Sequence, residues 1–143
     1  MGVNKFNSEG YYDPTPYEAL TAIERREKAA NRRYRPIVYI CSPFAGDPAG
    51  HSEKARRYCR FAVDSGFLPL APHLYFPQFM DDGVPSERET AIFMNTVLLS
   101  KCSALWVFGK NISKGMRIEI ERARVKGIPI RFFTEECKEE TAQ

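Results

Sequence analysis

Between residues 113 and 119 the chain reads Ser-Lys-Gly-Met-Arg-Ile-Glu, and three of these residues can do chemistry together. Ser113 offers a hydroxyl cap at a helix start, Gly115 leaves the backbone bare two residues on, and Glu119 sets a carboxylate a turn further in. Free N–H groups and the dipole at a helix start favour an anion such as a phosphate. A carboxylate just beyond can attack or stabilise an electron-poor carbon. The same stretch also reads as an ordinary capped helix whose glutamate faces solvent.

The helix itself narrows the choice. Met116, Ile120, Ala123 and Gly127 recur at i, i+4, i+7 and i+11, the spacing of a face packed on a sheet. At 100° per residue Glu119 lies about 60° from Met116, on the flank of that stripe. A partly desolvated carboxylate at the rim of a crevice suits attack on a sugar carbon. Met116 belongs to the packed face and also borders whatever binds there.

The surrounding elements must position this turn. Residues 1–15 are polar and broken by Asp13-Pro14 and Thr15-Pro16, an arm rather than a core element. Tyr17 to Asn31 reads as a helix, capped by Thr15 with Pro16 in the first position. Ile37-Val-Tyr-Ile-Cys41 is a run of β-formers suited to a strand buried on both faces. His51–Ser65 reads as a helix stopped by Gly66, and Phe67–Ala71 as a second strand. After a long loop, Ser86 and Glu89 form a capping box for a helix to about Lys101, with Ala91, Met94 and Leu98 as its stripe. Ala104–Phe108 is a strand, 114–126 a helix and Ile128–Phe133 a last strand. The residues past Thr134 read as a frayed polar tail.

Strands alternating with helices predict an α/β fold, a parallel sheet of four to five strands between helical layers. The first strand is expected centrally, with the order reversing beside it. Ligands in such sheets bind beyond the carboxyl ends of the strands at that reversal, where loops 42–48, 72–83 and 109–115 meet. The organisation expected is an N-terminal arm and helix over 1–35, an α/β domain over 36–134 and a tail over 135–143.

Composition excludes several classes of function. A net charge of +3 over 143 residues permits anionic small ligands but is no nucleic-acid footprint. The mixed run Glu24-Arg25-Arg26-Glu27-Lys28 with Arg32-Arg33 reads as a solvated helix face. Cys41, Cys59, Cys102 and Cys137 show no C-x-x-C spacing beside only two histidines, so neither a metal site nor another cofactor is expected. Cys41 and Cys102 read as small buried hydrophobes. With no leader-like segment and no apolar run of about 18 residues, a cytoplasmic protein with reduced thiols and no membrane partner is expected.

Other residues converge on the expected crevice. Tyr39 alternates with Val38 and Ile40; its phenol reaches either Glu119 or a ligand, or it is simply a core tyrosine. His73 could protonate a leaving base or simply bond nearby backbone. Arg88 opens the helix that carries Asn95. Phe44, Tyr75, Phe76 and Phe79 either stack on a base or anchor loops.

Val38-Tyr39-Ile40-Cys41-Ser42, the central helix and the Ser113/Gly115/Glu119 turn resemble the nucleoside 2-deoxyribosyltransferase superfamily, which includes the deoxynucleoside 5′-monophosphate N-glycosidases. The resemblance spans about residues 36–133. It implies a flavodoxin-like, Rossmann-like three-layer fold, a homo-oligomer, and a nucleoside or nucleotide as the small-molecule partner. It implies Glu119 as nucleophile and Tyr39 as its companion. Superfamily members acting on unphosphorylated nucleosides carry an aspartate where this chain has Ser113, and the monophosphate N-glycosidases a serine that contacts the 5′-phosphate. An aspartate there would repel a phosphate, whereas a serine at a helix start binds one. Two positions depart from the glycosidase pattern. Asn95 replaces an aspartate twenty-four residues before the nucleophile, and it can hydrogen-bond a base but cannot act as a general acid. Ala45 replaces an arginine in the loop after the first strand, leaving Lys114, Arg117 or Arg88 to meet a phosphate.

Together these readings predict an enzyme that cleaves or transfers at the N-glycosidic bond of a (deoxy)nucleoside 5′-monophosphate or a related nucleotide. Glu119 and Tyr39 act at the anomeric carbon, with Asn95 beside the sugar or base. Ser42, Phe44, Gly46, His73, Arg88, Ser113, Gly115 and Met116 surround the substrate. The alternative is a nucleotide-binding protein on the same fold that does not cleave. An FMN-binding or response-regulator-like module ranks below both, because no phosphoacceptor aspartate closes the strands at Cys41 or Phe108.

Overall fold

The computed structural model describes residues 14–141. The chain divides into two units, 1–34 and 35–143. In the first, helix α1 runs Pro14–Asn31, starting two residues before the expected Pro16. The rest of the expected arm, residues 1–13, lies outside the described residues.

The second unit is an α/β layer structure of the expected flavodoxin-like class. Strands β1 (Ile37–Cys41), β2 (Leu68–Leu70), β3 (Ala104–Phe108), β4 (Ile130–Phe133) and β5 (Glu139–Glu140) alternate with helices α2 (Pro48–Asp64), α3 (Pro85–Leu99) and α4 (Lys114–Lys126). The sheet order is β2-β1-β3-β4-β5. The first four strands are parallel, and β1 sits between β2 and β3, where the chain order reverses. Two short 3-10 turns, Pro72–Leu74 and Phe76–Gln78, punctuate the loop after β2.

Residues 135–140 do not form the expected frayed tail. A turn closed by Thr134 N–H donating to the Lys138 carbonyl returns Glu139–Glu140 antiparallel to β4, pairing Glu140 with Phe132. Arg131 fixes this edge through two 2.8 Å hydrogen bonds to Glu139.

The period-2 alternation of β1 and β3 builds two cores. Val38, Ile40, Trp106 and Phe108 pack with Tyr58 and Ala62 of α2. Tyr39, Cys41, Leu105 and Val107 pack with Leu99 of α3 and Met116, Ile120 and Ala123 of α4. Tyr39 and Cys41 therefore face the helix that carries Glu119.

Helix starts decide where the loops point. Ser113 caps α4 as expected: the Met116 N–H donates to its Oγ at 3.3 Å, and Gly127 closes the helix at φ 70, a left-handed position that glycine adopts without strain. Helix α2 begins three residues earlier than expected because Asp47 caps it, accepting the Gly50 N–H at 3.2 Å. A Cβ on Gly50 would meet that carboxylate at 2.2 Å, so the cap requires glycine. Helix α3 does not use the expected Ser86/Glu89 box. Pro85, pre-set for the first helical turn, moves the boundary to Val84, which makes no side-chain cap.

Candidate active site

Loops 42–48 and 72–83 and the start of α4 meet beyond the carboxyl ends of β1 and β3, the reversal point of the sheet. They enclose a cavity of about 250 Å³ with Glu119 in its wall. Glu119 is partly buried, between the packed stripe of α4 and this cavity. Its carboxylate is hydrogen-bonded by the phenol of Tyr39 and the thiol of Cys41.

Burial raises the Glu119 pKa to about 7, and the hydrogen bonds from Tyr39 and Cys41 hold it from rising further. Desolvation penalises the charged carboxylate, while donors to it favour that form. Burial and the neighbouring Glu119 push the Tyr39 phenol well above its ordinary range, so it stays protonated and donates. Cys41 is raised for the same reasons, and its Sγ also lies 3.9 Å from the Met116 carbonyl.

The amino end of α4 forms the adjoining wall, where Ser113, Lys114 and Gly115 line the cavity. Ser113 Oγ accepts the Met116 N–H and keeps its own proton to donate. The first N–H groups of the helix have no intrahelical acceptor. A Cβ on Gly115 would meet nothing within 4 Å, so neither packing nor a left-handed backbone requires this glycine. Lys114, Arg88 and Arg122 add three cations to the lining, and none of them is ion-paired among the described residues.

Ser42 ties two loops together, with its Oγ 3.2 Å from His73 Nε2. Burial, and next the charge of His51, lowers the His73 pKa to about 4. The imidazole is therefore neutral at pH 7 and is no resting proton donor of imidazolium type. His51 Nδ1 donates to the Phe44 carbonyl at 2.9 Å and anchors loop 42–48. Across the cavity Asn95 presents a carboxamide whose Oδ1 is buried without a hydrogen-bond partner. No group of three His, Cys, Asp or Glu among the described residues is arranged to hold a metal ion.

Most of the residues singled out from the sequence come together here. Tyr39, Ser42, Phe44, His73 and Arg88 line the cavity, as do Asn95, Ser113, Gly115, Met116 and Glu119. Met116 takes part through its packed side chain, 1% exposed, whose Sδ accepts the Ser113 N–H at 3.5 Å. Gly46 does not line the cavity; its φ of 94 shows a glycine required by the turn. Arg117, one of three expected cations, lies outside the lining. Of the aromatic rim only Phe44 and Phe76 reach the cavity. Tyr75 and Phe79 are 62% and 60% exposed and pack on each other at 4.9 Å.

Two participants escaped sequence reasoning. Composition marks Cys41 as a small buried hydrophobe, although it lies two residues from Tyr39 and so on the same strand face. Arg122 lies three residues past Glu119, a spacing that shares a helix face.

Comparison with solved structures finds the same fold in a 2-deoxyribosyltransferase from the psychrotolerant bacterium Bacillus psychrosaccharolyticus. Its TM-score is 0.56 at 19% identity, over 75% of this chain and 77% of that one. No curated protein matches the chain. No helix among the described residues is long and apolar enough to cross a membrane. Residues 36–133, the stretch holding β1 to β4 and the whole cavity lining, match a family known by the description Domain of unknown function (DUF7768), and the chain belongs to that family.

Proposed function

We propose that the protein cleaves or transfers at the N-glycosidic bond of a (deoxy)nucleoside 5′-monophosphate. The observation that carries this reading is a single cavity bounded by the Glu119 carboxylate and by the amino end of α4. A phosphate at Ser113, Lys114 and Gly115 is met by free N–H groups, a hydroxyl proton and the positive end of the helix. Arg88 and Arg122 supply the countercharge that Ala45 cannot. Gly115 leaves room for a phosphate to approach the backbone. The sugar of such a ligand extends towards Glu119.

The ionised Glu119 attacks the anomeric carbon. The C1′–N bond breaks, its electron pair leaves with the base, and a glycosyl ester forms on the carboxylate. Tyr39 orients the carboxylate and keeps a share of it ionised near neutrality. Asn95 and the neutral His73 hydrogen-bond the base, which takes its proton from solvent. Water or a second base then opens the ester and restores the carboxylate. The likeness in fold to a 2-deoxyribosyltransferase agrees with this chemistry, and a homo-oligomer in the cytoplasm remains part of the reading.

The second reading is a protein that binds the nucleotide without cleaving it. Asn95 favours it, because its unpartnered Oδ1 offers recognition and a carboxamide offers no acid. The test incubates deoxynucleoside 5′-monophosphates with the wild-type protein and with Glu119→Ala. Free base from the wild type alone supports the enzyme. Free base from both proteins, or ligand bound intact by both, removes the proposed mechanism.

A further inference from the structure

Ser42 and Ser113 line two cavities. The second hollow, about 450 Å³, lies on the α2 side of the sheet ends and is walled by Lys54, Lys110 and His51. The Glu119 cavity alone, at about 250 Å³, falls below the roughly 300–1,000 Å³ of small-molecule sites. The two hollows adjoin at Ser42 and Ser113, beyond the carboxyl end of β1 and at the amino end of α4. A ligand with its sugar at Glu119 and its 5′-phosphate at Ser113 points its next atoms into the second hollow.

The walls of that hollow suit an anion. Lys110 is exposed and has no ion-pair partner among the described residues. Lys54 is paired with Glu135, the one carboxylate in the lining. Tyr58 forms the floor. Its ring is stacked on Phe108 at 4.1 Å. The Tyr58 residue borders this hollow, and a phenol hydroxyl there can donate its proton to a phosphate oxygen.

We propose that the second hollow holds a further phosphate, linked as an anhydride to the 5′-phosphate, so that the preferred ligand is a nucleoside polyphosphate or a dinucleotide. This rests on the reading of the Glu119 cavity given above. Lys110 supplies the charge and Tyr58 the hydroxyl proton.

Calorimetric titration tests it, with the four deoxynucleoside 5′-monophosphates, the matching di- and triphosphates and NAD, without added divalent cations. The proteins are wild type, Lys110→Gln and Tyr58→Phe; the first substitution is on the surface and the second keeps the stacked ring. The expected result is a di- or triphosphate bound about tenfold tighter than its monophosphate, the advantage falling in both variants while monophosphate affinity stays unchanged. Tighter binding of the triphosphate series assigns a free terminal phosphate, and tighter binding of NAD an esterified one. Equal affinity for mono- and diphosphates overturns the inference and leaves the Glu119 reading standing. So does a polyphosphate advantage that both variants retain. No binding of any nucleotide overturns both.

Discussion

Replacing Glu119 by glutamine removes a carboxylate that folding makes harder to ionise. Its pKa rises from 4.5 to about 7, and each pH unit corresponds to about 1.4 kcal/mol. The folded protein thus carries a penalty of ~3 kcal/mol once the group is charged in both states. The sign follows from proton binding: between pH 4.5 and 7 the folded state holds the proton more tightly, so stability falls as pH rises. Above pH 7 the penalty is constant. Glutamine has no such slope, and its amide oxygen still accepts from Tyr39. Urea or thermal unfolding of both proteins from pH 4 to pH 9 should therefore diverge in favour of Glu119→Gln, by ~3 kcal/mol at pH 8 relative to pH 4. At roughly 4 °C per kcal/mol this is a gap of about 12 °C in Tm. His73, lowered to about 4, contributes a slope of opposite sign that is the same in both proteins and cancels. A stability difference that stays constant across this range would refute the claim that the carboxyl is held in a desolvating site.

The same ionisation sets the rate: base release should rise with pH through about 7 as Glu119 becomes a carboxylate, a profile read from kcat at saturating ligand. Tyr39→Phe removes a donor that favours the charged form, so the rising limb should move to higher pH and kcat at pH 7 should fall. Gly115→Ala places a methyl where only cavity lies; unfolding should show unchanged or higher stability, by up to about 1 kcal/mol, while KM for a monophosphate rises. Ser113→Ala removes the cap bond to Met116, at a cost of about 1 kcal/mol in unfolding experiments, and should weaken monophosphate binding more than binding of the unphosphorylated nucleoside.

Much of this site was legible because it rests on local rules. The cap at Ser113 and the stripe through Met116, Ile120 and Ala123 define α4 from sequence alone, whereas Gly127, expected on that packed stripe, is exposed and ends the helix in a left-handed turn. The alternation of β1 directs Tyr39 towards it. What escaped depends on tertiary packing or on competition between neighbouring signals. Pro85 outcompeted Ser86 for the start of α3. Glu139–Glu140 form a strand because Arg131 and the free edge of β4 await them, which no propensity of two glutamates suggests. Cys41 has the composition of a core residue, and only the approach of α4 turns its thiol into a donor to Glu119. The second hollow is built by residues from four separate segments, which no single motif collects.

The central claim is that Glu119 forms a bond to the sugar. A deoxynucleoside 5′-monophosphate carrying fluorine at C2′ slows the opening of a glycosyl ester, so peptide mapping by mass spectrometry after incubation reads the bond directly. The account predicts a sugar-phosphate adduct on the peptide containing Glu119, absent from Glu119→Ala. An adduct on another residue, or release of base from the unmodified nucleotide by Glu119→Ala at the wild-type rate, would contradict it.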